Sequence, residues 1–370
     1  MRIAYITLHL EASILNGGVG KKIQSQISHW KSAGHQVQLF LHSPDKHDFP
    51  DSTSYQYTKK ISFPLIGFIG KELSRIKALS NLIQAVREYK PDLIYLRYGL
   101  FCFPLQKIFT IAPVVVELNT LDQQEYRYRG AIYYWMNRIG RQMILSNAAG
   151  FTATSEEIAK HPTNIRFDKS TIVISNGIEL SNFDVMTPTH NMVPRLVFIG
   201  TPGYPWHGVD KIIEFAILKP DIHIDIIGYS KNDLKMEVIP VNVACHGFLQ
   251  SNEYKNIFST CDAAIGTLAL HRKEMEEASP LKVREYLIHG LPVIIGYCDT
   301  DLSNRQYNFV CQIPNRENNI QEYSEQIYDF AYRMMEKRVD RNLIAPLIDQ
   351  SLKEKMRLEF FAQIIGKHDQ

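Results

Sequence analysis

The chain has 370 residues, 45% hydrophobic and 22% charged, with 41 Lys and Arg against 39 Asp and Glu for a net charge of +2. Such values describe a soluble globular protein long enough for two domains with separate cores. They exclude a spanning helix, since no apolar run approaches about 18 residues; Leu100 to Val116 comes nearest and is broken by Pro104, Lys107 and Pro113.

In chain order, Arg2 to Leu10 reads as a first strand, followed by Glu11 and a glycine loop where a signal peptide would show small residues and a cleavage site. Asn16-Gly-Gly-Val-Gly20 opens a helix to about Ser32, and Val37–Leu41 is the next strand, completing a βαβ unit. Gly17 and Gly18 let backbone amides approach a ligand at the helix start, although a tight turn alone would use the same residues. Neither G-x-G-x-x-G nor an acid about 20 residues on is clear, which disfavours a dinucleotide dehydrogenase.

Ile76 to Tyr89 is an amphipathic helix, and Pro91–Leu96 is a strand with Arg97-Tyr-Gly99 at its carboxyl end, where open α/β sheets hold ligands. Val114–Asn119 is the next buried strand, ending in Glu117 and Asn119. Glu117 reads equally as a site carboxylate or a satisfied structural one. Tyr126–Gly130 and Tyr133–Arg138 are basic and aromatic together. They suit either a partly exposed helix or a surface for an amphiphilic acceptor or membrane interface. Gly150–Ser155 leads to a capped helix, Thr171–Ile178 is a strand with an Asn-Gly turn, and Pro188–Pro194 reads as a linker.

A second α/β unit begins with Arg195–Gly200, then Pro205-Trp-His-Gly-Val-Asp210 and a helix. His207 alone carries little information. Ile222–Gly228 and Val243–Leu249 are strands, Asn252–Thr260 a helix, and Asp262–Gly266 another strand. Next comes Leu270-His-Arg-Lys-Glu-Met-Glu-Glu277, then Ala-Ser-Pro-Leu-Lys-Val-Arg-Glu285-Tyr-Leu-Ile-His-Gly290-Leu-Pro-Val-Ile-Ile295. This last stretch reads as loop, helix, turn, strand. Ser279 is the expected N-cap, with Pro280 at the first helical position and Leu281 after it. The amides that follow form an anion site. Glu285, stacked on Leu281 and Ile288, needs a partner, either a ligand hydroxyl pair or Lys282.

Glu277 and Glu285, with seven residues between them and running into Gly290-Leu-Pro-Val, resemble the donor-site signature of retaining GT-B glycosyltransferases of the family 4 group. The likeness covers nearly the whole chain and is specific from about 195 to 296. It implies an α/β architecture of two Rossmann-like domains facing across a cleft. These would be an acceptor-side domain over 1–188, a nucleotide-sugar domain over 189–351, and a helix over 352–370 returning to the first domain. Glu285 would bind the ribose hydroxyls and Glu277 the donor sugar. The amides after Ser279, with Lys282, would hold the diphosphate, Phe248 would lie at the nucleotide base, and Arg272 would overhang the phosphates. Gly17 and Gly18 would lie near acceptor and donor phosphates, and Gly200, His207 and Gly208 would form the diphosphate loop. The family carries Arg and Lys where this chain has Thr201 and His207, and often a His near Asn119, so Lys282, Arg272 or Lys273 must supply the charge.

The function so implied moves a sugar from a nucleotide-diphosphate donor to a glycan or lipid-linked acceptor with retention, in cell-surface polysaccharide synthesis. No cofactor or metal is expected, since helix amides and Lys can replace a metal. Rivals are a nucleotide-sugar epimerase of the same fold, a non-catalytic subunit supporting another glycosyltransferase, and a two-carboxylate hydrolase. The five cysteines, odd in number and without C-x-x-C spacing, indicate neither a disulfide framework nor a zinc site, so a cytoplasmic location is expected. Residues 1–190 hold 21 Lys and Arg against 15 Asp and Glu, a balance of +6, against −4 in the remainder. That asymmetry adds peripheral contact of the first half with an anionic membrane, through Arg127, Arg129, Arg138 and Arg141. No recognition motif points to nucleic acid.

Overall fold

Each half of the chain repeats one pattern, a short apolar strand, a helix, and a parallel strand beside the first. The computed structural model describes residues 1–370 except 12–14, 16, 48, 59–63, 184, 235–237, 304 and 369–370, and except the side chains of 64–69 and 182. The chain divides into two units, Met1–Ser175 with Gln350–Gln370, and Asn176–Asp349. The sequence reading draws these lines at 188 and 351. Residues of the expected linker are held by the second unit: buried Thr189 donates its hydroxyl to Asp262, and Asn191 Nδ2 lies 2.9 Å from the same carboxylate.

In the first unit, β1 (Arg2–Leu8), β2 (Gln36–Ser43), β3 (Ser52–Gln56), β4 (Leu93–Arg97), β5 (Val114–Leu118), β6 (Gly150–Ala153) and β7 (Ser170–Val173) form one sheet. Its order is β3-β2-β1-β4-β5-β6-β7, parallel throughout, with Ile3 paired to Val37 on one side and Leu93 on the other. The central strands are apolar along their length because both faces are covered. β3 carries no run of β-formers and is absent from the sequence reading.

The helix expected from Ile76 begins earlier, spanning Pro64–Tyr89, with proline at its first position. The last helix, Gln350–His368, belongs to this unit and buries Phe360, Phe361 and Ile364 in the core around Tyr5, Trp30 and Tyr95. Its polar groups are matched inside that core: the Trp30 indole donates to Glu354 at 2.7 Å, and Arg357 donates to the Tyr95 hydroxyl at 3.1 Å.

The second unit repeats the scheme with β8 (Arg195–Ile199), β9 (His223–Ile227), β10 (Val243–Gly247), β11 (Ala263–Ile265), β12 (Glu277–Ala278), β13 (Val293–Ile295), β14 (Cys298–Asp299) and β15 (Val310–Gln312). The main sheet runs β10-β9-β8-β11-β13-β15, while β12 and β14 form a separate parallel pair. In each unit the winding direction reverses beside the first strand, between β1 and β4 and between β8 and β11. The carboxyl ends at such a point are where doubly wound sheets hold ligands.

At the end of β1, His9 adopts φ +58°, uncommon for a residue with a side chain. It lies 3.1 Å from the Tyr57 hydroxyl, and the buried His42 donates from Nε2 to the Arg75 carbonyl at 3.1 Å. Burial holds both imidazoles below their ordinary range, His42 down to about 4, with Arg75 opposing charge on each. Both are therefore neutral in the fold and charge only on unfolding. Their contribution is full above about pH 6.5 and falls as pH drops toward 4, by up to roughly 1.4 kcal/mol per pH unit for each histidine. Urea melts at pH 7.5 and 5 check this. His42→Gln is expected to flatten the pH dependence, and an unchanged slope would assign the acid sensitivity elsewhere.

Candidate functional site

β8 delivers the chain to Gly200, and a side chain there would meet the Phe198 ring at 2.6 Å and His207 Nδ1 at 3.0 Å. The following loop folds back on itself. The Tyr229 hydroxyl donates to the Thr201 carbonyl at 2.7 Å and lies 3.2 Å from His207 Nδ1. Gly208, at φ +71°, then opens the helix Val209–Leu218. Burial and two lysines, Lys282 and Lys273, push the His207 imidazole well below its ordinary range, so it is neutral here.

The segment from Glu277 folds as β12, a two-residue link and the helix Leu281–Ile288, ended by Gly290 at φ +85° before β13. Pro280, without a side-chain acceptor, stands at the N-cap where Ser279 was expected. The correction has a clear cause: the buried Ser279 hydroxyl accepts from the Asn176 amide at 2.8 Å and is unavailable to the helix. One residue into the helix, Lys282 extends its ammonium over the Phe198 ring, 4.2 Å from the centroid. Among the described residues, buried Nζ has no hydrogen-bond partner. Burial pushes its pKa down to about 7.

The alternative pairing of Lys282 with Glu285 does not form. Glu285 instead accepts from the Tyr254 hydroxyl at 2.6 Å, and burial with the nearby carboxylate raises that phenol. Arg284, fully buried, forks onto Asp299 and also meets Asp301, while its Nε donates to the Asn176 carbonyl at 3.0 Å. That ion cluster pins the helix from below.

Arg272 is already paired with two carboxylates. It makes a bidentate pair with Asp210 at 2.8 and 2.7 Å and also meets Glu317. Lys273 is buried with its ammonium 4.5 Å over the Trp206 ring. Phe248, after β10, presents its ring to solvent at 79% exposure, as a stacking surface requires. Glu277 sits half-buried in β12, paired with Cys298. The structure thus brings Gly200, His207, Gly208, Lys273 and Lys282 together, while Arg272 serves Asp210 and Glu317.

In the first unit, Gly17 and Gly18 form the start of the helix Gly18–Ser32, with Gly17 extended and no side-chain cap; Asn16 lies outside the described residues. Gly20 is obligatory, since a Cβ would fall 1.6 Å from the Leu15 carbonyl oxygen. Lys22, on the same helix, reaches the end of β5 and donates to Glu117 at 2.8 Å and Asn119 at 3.1 Å. Arg97, at the end of β4, donates to the same two residues at 2.8 and 3.1 Å, and Asn119 Nδ2 returns to Glu117 at 3.1 Å. These partners offset the burial of Glu117 and hold its carboxyl far below the usual range. Of the two readings of Glu117, the geometry is that of a satisfied carboxylate.

Residues 16–182 match the family model described as Glycosyltransferase Family 4. No curated protein sequence matches the chain. Among solved structures, a sucrose-phosphate synthase from Thermosynechococcus elongatus is similar at TM-score 0.69 and 14% identity, covering 99% of this chain and 100% of that one. The lipopolysaccharide outer core galactosyltransferase WaaB is similar at TM-score 0.68 and 15% identity, covering 98% and 100%. Anabaena Alr3699/HepE, solved with UDP and glucose, gives 0.65, 13%, 98% and 100%. At these identities the likeness is one of fold. The chain has the GT-B fold of these structures, and its first half is similar to Glycosyltransferase Family 4.

The family 4 match falls on the half whose motifs are least specific to the eye, and the Glu277–Ile295 signature lies outside it. Several structural participants around these sites escape a sequence reading. Lys22 carried a usable signal, the second of two lysines that follow Gly20 on the first helix. Tyr254 and Tyr229 gave none, because each reaches its partner from a different element of the second unit.

Proposed function

We propose that the protein transfers a sugar from a nucleotide-diphosphate donor to a glycan or lipid-linked acceptor, with retention of configuration, in cell-surface polysaccharide synthesis. The observation that carries the donor reading is the buried Lys282 amine beside the Gly200–Gly208 loop, without an acceptor among the described residues and next to a neutral His207. A cation buried without a partner is costly, and a diphosphate supplies the missing acceptors. The first amides of the helix Leu281–Ile288 add donors to the same anion. Lys282 then stabilises the departing diphosphate as the sugar becomes oxocarbenium-like.

Glu285 takes the ribose hydroxyls, Glu277 the donor sugar, and Phe248 the base; the Tyr254 hydroxyl holds Glu285 in place. HepE, solved with UDP and with UDP-glucose, makes uridine nucleotides the first donors to try. A thermal-shift panel of nucleotide sugars tests the reading, since a ligand at 100 times Kd stabilises by about 2.7 kcal/mol. Glu285→Gln is expected to weaken donor binding by ~1.5–3 kcal/mol with little change in the ligand-free Tm. Lost stability with donor affinity intact would make Glu285 a structural partner of Tyr254. Nucleotide binding without any release of nucleoside diphosphate would favour the non-catalytic subunit, the rival that Thr201 and His207 support.

Peripheral membrane contact is part of the same proposal. No helix among the described residues is long and apolar enough to cross a membrane. The helix Ala131–Asn147 nevertheless exposes Ile132, Trp135 and Ile139 at 72%, 55% and 66%, and Arg138 lies 5.1 Å over Trp135. Neighbouring Arg127 and Arg129 lie over Tyr134 and Tyr126. Arg141 drops out of this group. It is 1% exposed and donates to Asp122 at 3.1 Å and to the Thr163 carbonyl at 2.8 Å. Arg127, Arg129 and Arg138 near an anionic surface supply about 3 kcal/mol together. Co-sedimentation with phosphatidylserine vesicles at low salt is expected, lost when the three become Ser. Binding unaffected by those changes would remove this surface from the proposal.

A further inference from the structure

The same lysine carries a consequence beyond holding an anion. Lys282 Nζ is buried against an aromatic ring, among the described residues has no acceptor, and shares its surroundings with Lys273. His207 feels both Lys282 and Lys273 and lies 3.2 Å from the Tyr229 hydroxyl; on the helix of Lys282, Glu285 meets Tyr254, and Arg284 is paired with Asp299 and Asp301. Arg272 is neutralised by Asp210 and Glu317. With no acceptor on its ammonium, the empty site favours the neutral amine, and a bound dianionic group favours the ammonium.

We propose that binding of a nucleoside diphosphate takes up one proton from solvent, which adds to the lone pair of the Lys282 amine and creates the donor that the phosphate oxygens require. The inference rests on the proposed donor reading. Burial holds the empty-site pKa at about 7. At pH 8 the free amine is therefore about nine-tenths neutral, and binding draws about 0.9 proton per site. Affinity falls about tenfold per pH unit above 8, whereas a permanently charged site would show no such slope.

Calorimetric titration with UDP, ADP, GDP and TDP at pH 8, in HEPES and in Tris, measures the uptake from the difference in heat between buffers. The expected result is uptake near one proton in the wild type. Lys282→Arg, charged at every working pH, should bind with uptake close to zero and a flat pH profile. Lys282→Met should bind more weakly, also without uptake, which guards against an arginine that does not fit. Binding without uptake in the wild type overturns the inference and leaves the donor reading standing. Uptake that survives in both variants assigns the proton to His207 or to the phosphate, and likewise overturns it. Failure of all four nucleotides to bind overturns the donor reading and this inference together.

Discussion

Glu117→Gln is expected to destabilise the first unit by about 3–5 kcal/mol, the cost of breaking a buried ion pair and leaving its partners uncompensated. The carboxylate is 1% exposed and receives Lys22 and Arg97, each at 2.8 Å. Glutamine keeps the shape but removes the charge, and buried Lys22 is then left beside the partly buried Arg97 without it. Lys22, already pushed down to about 8 by burial, would lose the carboxylate that keeps it charged. A Tm drop on the order of 10 °C follows for a unit of this size. Unfolding monitored by circular dichroism, with turnover measured alongside, decides the matter. An unchanged Tm with turnover abolished would make Glu117 a catalytic group instead.

Lys282→Met is expected to act in the opposite sense. Turnover should fall by ~10²-fold or more, the scale of losing one donor aimed at developing charge. The ligand-free protein should hold or gain stability, because the substitution removes a buried amine that has no acceptor among the described residues. The cheapest measurement is release of nucleoside diphosphate from a donor in the absence of acceptor, paired with a thermal melt. Unaltered release would exclude Lys282 from the reaction. The two substitutions thus separate a charge that serves the fold from one that serves a ligand.

Much of the architecture was legible because period and punctuation agree. Val114–Leu118 and Arg195–Ile199 are short β-branched runs with turn residues behind them, and both are strands. Ser155 reads as a cap and is one, accepting from Ile158 at 3.2 Å. Ser279 has the same local pattern and is not, because a residue 103 positions away in sequence claims its hydroxyl. Arg141 is the parallel case on the surface question. Its neighbours Arg127, Arg129 and Arg138 lie on the outside, while its own guanidinium meets Asp122 from inside the unit. In each instance the local chemistry was readable and the partner was not. The same limit explains Arg272, whose charge the sequence displays and whose neutralisation by Asp210 and Glu317 only folding reveals.

The first unit is closed by residues that are made only after the whole of the second. Trp30 finds its carboxylate at Glu354, and Tyr95 its guanidinium at Arg357, across most of the length of the chain. The second unit, by contrast, is a single uninterrupted stretch from Asn176 to Asp349. On the ribosome the order of completion is therefore inverted. The part synthesised first must wait, its aromatic core open, until the later part has already emerged and can close on its own. A stall or premature stop near residue 349 would leave intact the unit that binds the nucleotide in our proposal and strand the one that precedes it.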